Sequence, residues 1–212
     1  MPLIELSTAL VAAGSSVVVP FVNKVLEKTA SRVGDNFDAN LVALFTKAHE
    51  YLTVTGREPQ PVEPKLLLPL VQAASIETDA ALAAHWAALL ANAADPAQKV
   101  QVQPGFAEVL RQLTPVDAKI LTCLYLQTSI DFFAVAYSLN LLRTAGFEKL
   151  LSITRKELVI SIDNLLRLRL CSQSSGSTIK MSDPDKQMLV SDSVYPTAFG
   201  LSFLTAVSPP VL

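Results

Sequence analysis

The chain has 212 residues, enough for one large domain or two small ones, and half of them are hydrophobic, so a sizeable core is within reach. Seventeen basic against nineteen acidic side chains give a formal charge of -2, which excludes a global pull on nucleic acid and leaves room only for a local basic face. Cys123 and Cys171 lie far apart with no Cys-x-x-Cys, which favours buried thiols in a reducing compartment over a disulfide framework.

The first element is apolar. Leu6 to Asn23 carries no charge and approaches the minimum length of a membrane span. Ser7, Thr8, Gly14, Ser15, Ser16 and Pro20 dilute it. Glu5 stands where a signal peptide would have Lys or Arg, and no clear cleavage pattern follows. The expected structure is a buried or partner-facing helix broken near Pro20. The alternative is membrane contact through residues 6–23.

Asp35 is placed to cap a helix reaching about Leu52. Phe37, Leu41, Leu44, Phe45, Ala48 and Leu52 form its apolar stripe. Gly56 to Pro64 collects Gly56, Pro59, Pro61 and Pro64 with alternating charge and reads as a loop. Lys65 to about Ser75 is a short apolar helix. Thr78 or Asp79 opens the next, which buries Leu82, Trp86, Leu89, Leu90 and Ala93 and stops at Asp95-Pro96. Its alanines permit close helix approach. Ala97 to Pro104 connects to a short helix, Gly105 to Leu113, with Phe106, Val109, Leu110 and Leu113 inward.

Thr114-Pro115-Val116-Asp117 is a helix start. The Thr hydroxyl can accept an orphan N–H, Pro suits the first position, and Asp117 favours the positive end. This helix reaches about Leu126, and Ser129 to Ala145 is further helical material. Thr154-Arg155-Lys156-Glu157 is a capping box, followed by the stripe Leu158, Ile162, Leu165, Leu166 and Leu168. The period then changes. Leu170 to Gln173, Thr178 to Met181 and Met188 to Tyr195 lean to strand between Ser/Gly and Asp/Pro turns, and Thr197 caps a last helix with Phe199, Leu201, Phe203 and Leu204. The fold class is therefore mainly α. An N-terminal helical bundle precedes a winged-helix-like domain with a small β-hairpin or short antiparallel sheet. The expected divisions are 1–34, 35–112 and 113–212.

A catalytic constellation does not emerge. His49 and His85 have no His or Cys partner at ligand spacing, so neither metal nor cofactor is expected. The sequence contains neither a Gly-rich phosphate loop nor a Gly-x-Ser-x-Gly elbow. Glu77 and Asp79 suit a helix start better than a metal pair. Trp86 belongs to the core stripe, and Asp183 and Asp185 to a solvated turn. Asp163-Asn164 reads as a solvent-facing or capping-network position rather than a base contact. The candidate nucleic-acid residues are Arg155, Lys156, Arg167, Arg169 and Lys180. Arg155 and Lys156 start a candidate recognition helix, Arg167 and Arg169 end it, and Lys180 lies on the expected wing. Glu157 and Asp163 on the same helix weigh against DNA.

Three runs carry a family resemblance: Pro-Leu-x-x-Ala-Ala-Ser at 69–75, Trp-Ala-x-Leu-Leu-Ala-Asn-Ala-x-Asp-Pro at 86–96, and Leu-Thr-Pro-x-Asp-Ala-Lys-Ile-Leu at 113–121. Together they resemble the Abi-alpha family of bacterial proteins grouped under abortive infection. Ile162 to Leu168 leading into a strand, and Tyr195 to Phe203, resemble its closing half. Two positions depart from the pattern. Gln103-Pro104-Gly105-Phe106 replaces a usual His-Pro-Ser-Phe, and Arg169 replaces a Gly that usually precedes the strand.

The resemblance implies a place in defence against phage and supplies no catalytic residues. The expected function is a non-enzymatic, cytoplasmic defence protein that binds a phage or host protein, with room for homo-oligomers. The alternatives are a winged-helix DNA-binding regulator and a membrane-acting effector working through residues 6–23.

Overall fold

Apolar residues at helical spacing in the first half yield α1 (Val19–Val25), α2 (Ala39–Thr55), α3 (Pro64–Ser75), α4 (Ala80–Ala94) and α5 (Gly105–Arg111). The second half contributes α6 (Pro115–Leu126), α7 (Arg155–Arg167), β1 (Cys171–Gln173), β2 (Val194–Pro196) and α8 (Ala198–Ala206). These come from a computed structural model that describes residues 19–25, 39–97, 102–126, 150–173 and 194–210. The protein is mainly helical, with a small antiparallel sheet. It divides into two compact units, residues 1–112 with 205–212, and residues 113–204.

In the first unit α2 packs on α4, and α3 packs on α2, α4 and α5. The predicted stripe of α2 is buried at Leu41, Leu44, Phe45, Ala48 and Leu52. Opposing it, α4 buries Ala87, Ala88, Ala91 and Ala94 together with Leu82, Trp86, Leu89 and Leu90. The small residues bring the backbones close, while each large side chain contributes about 1.5–3 kcal/mol by leaving water. Ala93, expected in this face, is only half-buried. Phe106 and Leu110 of α5 complete the core.

Local chemistry sets the ends. Pro64 is the first residue of α3, where its missing N–H costs nothing, so the expected loop is one residue shorter. Pro69 lies inside α3. It removes one ladder bond at an exposed position, and burial of Leu66, Leu67, Leu70 and Val71 holds the helix through it. Asp79 caps α4, its Oδ1 accepting the N–H groups of Ala81 at 2.9 Å and Leu82 at 3.0 Å. Glu77 Oε1 accepts those of Thr78 and Asp79, both at 2.9 Å. The two acids are helix-start groups that precede the first turn.

At the far end of α4, Asp95 does more than stop a helix. It is buried, its Oδ1 accepts the Ala97 N–H at 2.8 Å, and its Oδ2 pairs with Arg57. The Gln60 N–H also donates to the Ala94 carbonyl at 2.8 Å, tying the proline-rich loop to this helix end. Asn92 and His85 of α4 hold residues 205–208. Asn92 Nδ2 reaches the carbonyls of Ala206 at 2.7 Å and Ser208 at 2.8 Å, and His85 Nδ1 donates to that of Val207 at 2.8 Å.

The apolar opening segment falls mostly outside the described residues. Its last part is α1, with Phe21, Val22 and Val25 buried. Pro20 is the second described residue of α1, and the segment before it, on which the expected break depends, lies outside the described residues. Among the described residues no helix is long and apolar enough to cross a membrane.

In the second unit, Thr114 and Asp117 start α6 reciprocally. Thr114 Oγ1 accepts the Asp117 N–H at 3.2 Å, and Asp117 Oδ2 accepts the Thr114 N–H at 2.8 Å. Helix α6 packs on α7 and β2, and α7 packs on β1. The strands pair Cys171 with Pro196, Ser172 with Tyr195 and Gln173 with Val194. The first expected strand thus meets the end of the third. The second, at 178–181, lies outside the described residues, as do Asp35, Phe37 and 129–145. Tyr125 ties the unit together. Its hydroxyl lies 2.8 Å from the Leu170 carbonyl and accepts the Thr197 N–H at 2.9 Å. Gly200 is required beside it, because a Cβ there would lie 2.1 Å from both Leu170 O and Tyr125 Oη.

Candidate interaction face

Helix α7 is fixed at both ends by short-range chemistry. At its start Thr154 Oγ1 accepts the Glu157 N–H at 3.3 Å, while Glu157 Oε2 accepts the Thr154 N–H at 2.8 Å. The bond from the Thr154 backbone, with the hydroxyl's help, holds the Glu157 carboxyl below its ordinary value. Leu158, Val159, Ser161, Ile162 and Leu165 are buried.

Opposite them Lys156, Ile160, Asp163 and Arg167 follow the spacing of one helical stripe and are exposed. Ile160 is 57% exposed, an aliphatic side chain in the middle of a charged face. Arg155 is exposed beside Lys156. The two basic ends are separate. Eleven residues at about 1.5 Å each put Lys156 roughly 16 Å from Arg167. The sequence-predicted basic residues therefore bracket the stripe instead of forming one cluster, and Lys180 lies outside the described residues.

Asn164 turns away from this face. Its Nδ2 donates to Asp117 Oδ2 at 2.9 Å, and its Oδ1 accepts Arg167 Nη2 at 2.7 Å and Nε at 3.2 Å. Of the pair expected to be solvent-facing or in a capping network, Asp163 is exposed and Asn164 joins the group that starts α6 through Asp117. Asp117 is buried, Asn164 links it to Arg167, and the guanidinium is held by its neighbour one turn back. Asp117 Oδ1 has no hydrogen-bond partner among the described residues.

The helix end answers the departure at Arg169. Leu170 N–H donates to the Leu165 carbonyl at 2.9 Å and Arg169 N–H to that of Leu166 at 3.0 Å, the paired bonds of a Schellman turn. Arg169 takes φ +61°, the left-handed conformation that favours glycine. The turn that a glycine would normally make is thus made by an exposed arginine, and Thr197 Oγ1 donates to its carbonyl at 2.7 Å. Leu165 and Leu170, the hydrophobic pair of that turn, are both buried. Sequence inspection misses Tyr125, the Arg57–Asp95 pair and the inward role of Asp117, since none carries a local signal for its distant partner.

Other places offer less chemistry. A cavity of about 580 Å³ in the first unit is lined by Phe21, Lys24, His49, Leu52, Arg57 and Glu58 among others. Thr53 and Gly56 bring the negative end of α2 to it, which the two cations offset. A groove of about 290 Å³ is lined by Ala43, Ala74, Ala80, Ala83 and Ala84 together with Leu44 and Trp86 among others. Among the described residues no three His, Cys, Asp or Glu side chains gather as a metal site. Burial raises the Cys123 thiol and pushes Cys171 up to about 12, so both are protonated at neutral pH and poor nucleophiles.

The model of the family described as abortive infection alpha matches residues 36–207. No curated protein and no solved structure matches the chain.

Proposed function

The chain belongs to the abortive infection alpha family, and from that premise we propose that it is a non-enzymatic bacterial defence protein acting through the exposed face of α7 on a protein of the phage or the host. The observation that carries this is Ile160. An aliphatic side chain 57% exposed between cationic helix ends contributes nothing to phosphate binding, whereas a protein partner would remove it from water. Asp163 on the same stripe opposes phosphate and tolerates a protein surface. The cations at either end then provide the polar rim.

The test is a phage challenge of cells expressing the chain, with culture survival followed at low and high phage doses. Protection confined to low doses is the signature of abortive infection. Ile160→Asp should abolish it while leaving helix content and the unfolding midpoint unchanged, because the side chain already faces water. Wild-type survival with Ile160→Asp would sink the α7 reading.

A second reading is favoured by the element order. Helix α7 leads directly into paired strands, as a recognition helix leads into a wing, and Arg155 and Lys156 are exposed at its N-terminal end. It requires salt-dependent duplex binding that Arg155→Ala with Lys156→Ala removes. Binding indifferent to that double change would eliminate it.

A further inference from the structure

We infer that Arg169 is a partner-binding residue: a left-handed turn leaves its exposed guanidinium, at the helix end that also carries Arg167, to carboxylates on an acidic protein partner. This rests on the α7 face being the binding surface, and it names the chemistry of what binds there.

The argument starts from the backbone. At φ +61° an L residue is disfavoured and glycine is not. Everything the turn requires at this position is main-chain: the Arg169 N–H to Leu166, the Leu170 N–H to Leu165, and the Arg169 carbonyl accepting from Thr197. A glycine would supply all three. The side chain is exposed and makes no hydrogen bond or ion pair with the described residues. A side chain that disfavours its own turn and contributes nothing to it points to a contact outside the chain.

The neighbour gives the contact its chemistry. Arg167 is held through Nε and Nη2 by Asn164, which Asp117 anchors in the interior. The planar fork of the Arg169 guanidinium suits a carboxylate, and Arg167 adds a second positive charge at the same helix end. Ile160 and Asp163 on the adjoining stripe favour a protein over a nucleic acid as the source of those acids.

The experiment uses the full chain with Arg169→Gly and Arg169→Lys, measuring thermal unfolding and protection in the same phage challenge. Arg169→Gly should raise Tm by about 2–4 °C, the shift a relieved turn gives in a chain of this size, and should lower protection tenfold or more. Arg169→Lys keeps the charge without the fork and should recover only part of it. If Arg169→Gly lowers Tm, the side chain is structural and the inference fails. Full protection by Arg169→Gly also overturns it. In that case loss with Ile160→Asp leaves the α7 face standing, and full protection with Ile160→Asp removes both. A wild-type chain that protects against no phage in a broad panel removes both as well. Retardation of a 20-base-pair DNA duplex (about two helical turns) by the wild type, abolished in Arg169→Gly, would assign the arginine to phosphate and overturn the protein-partner inference.

Discussion

Asp95 illustrates how much one side chain can hold. Its carboxylate is fully buried, and Arg57, itself about a quarter exposed, is the cation that compensates it. Removing one member of such a pair leaves a buried charge, which costs about 3–5 kcal/mol, more than the pair contributes when intact. Arg57→Ala should therefore destabilise the protein by roughly that amount in a urea titration, while Arg57→Lys should recover part of it. A loss under 1 kcal/mol would show that water reaches the carboxylate. The aspartate was legible as a helix stop because the following proline marks the boundary. Its partner was not, since Arg57 lies 38 positions away with an unremarkable loop around it.

The helices show where sequence reading works best. The boxes at Thr114 and Thr154 and the Asp79 cap involve donors and acceptors within three residues, so residue order alone brings them into reach. The Thr154 box also has a pH signature. Its Glu157 carboxyl titrates below the ordinary 4.5 in the folded chain, because the Thr154 N–H bonds the charged form. A lowered folded value means the contribution is present above 4.5 and is lost as pH falls through the folded value. Thr154→Ala should lower Tm by about 2–4 °C at neutral pH, with the difference from wild type shrinking in acid. A constant difference down to pH 3 would show that the carboxylate plays no part. Helix ends were less legible. Arg169 in a left-handed turn defeats a rule that looks for glycine, since the turn is imposed by Leu165 and Leu170 burying together.

Across the whole molecule, long-range polar contacts complete what the apolar stripes begin. In the second unit Tyr125 joins positions 45 and 72 residues away, and Gly200 leaves room for that contact. Gly200→Ala should cost several kcal/mol, beyond the 1–3 kcal/mol of ordinary overpacking, because two polar atoms lie inside any Cβ. Adding Tyr125→Phe should return part of that loss by removing one of the clashing oxygens, and a Gly200→Ala chain as stable as wild type would show that the segment can move aside. In the first unit, Asn92 was legible only as part of a family run, whereas the structure shows it gripping carbonyls more than 110 residues away. By itself the sequence determined the family, the mainly helical class, most of each inward stripe (Val109 of α5 and Leu166 and Leu168 at the end of α7 are only half-buried) and the start of each capped helix, because periodicity and capping act within a turn or two. Only the tertiary structure decided which polar residues meet, that Asn164 faces Asp117 while Ile160 stays in water, and that Arg169 sits in a glycine's conformation. Those outcomes depend on the packing of segments distant in the chain, which no local pattern encodes.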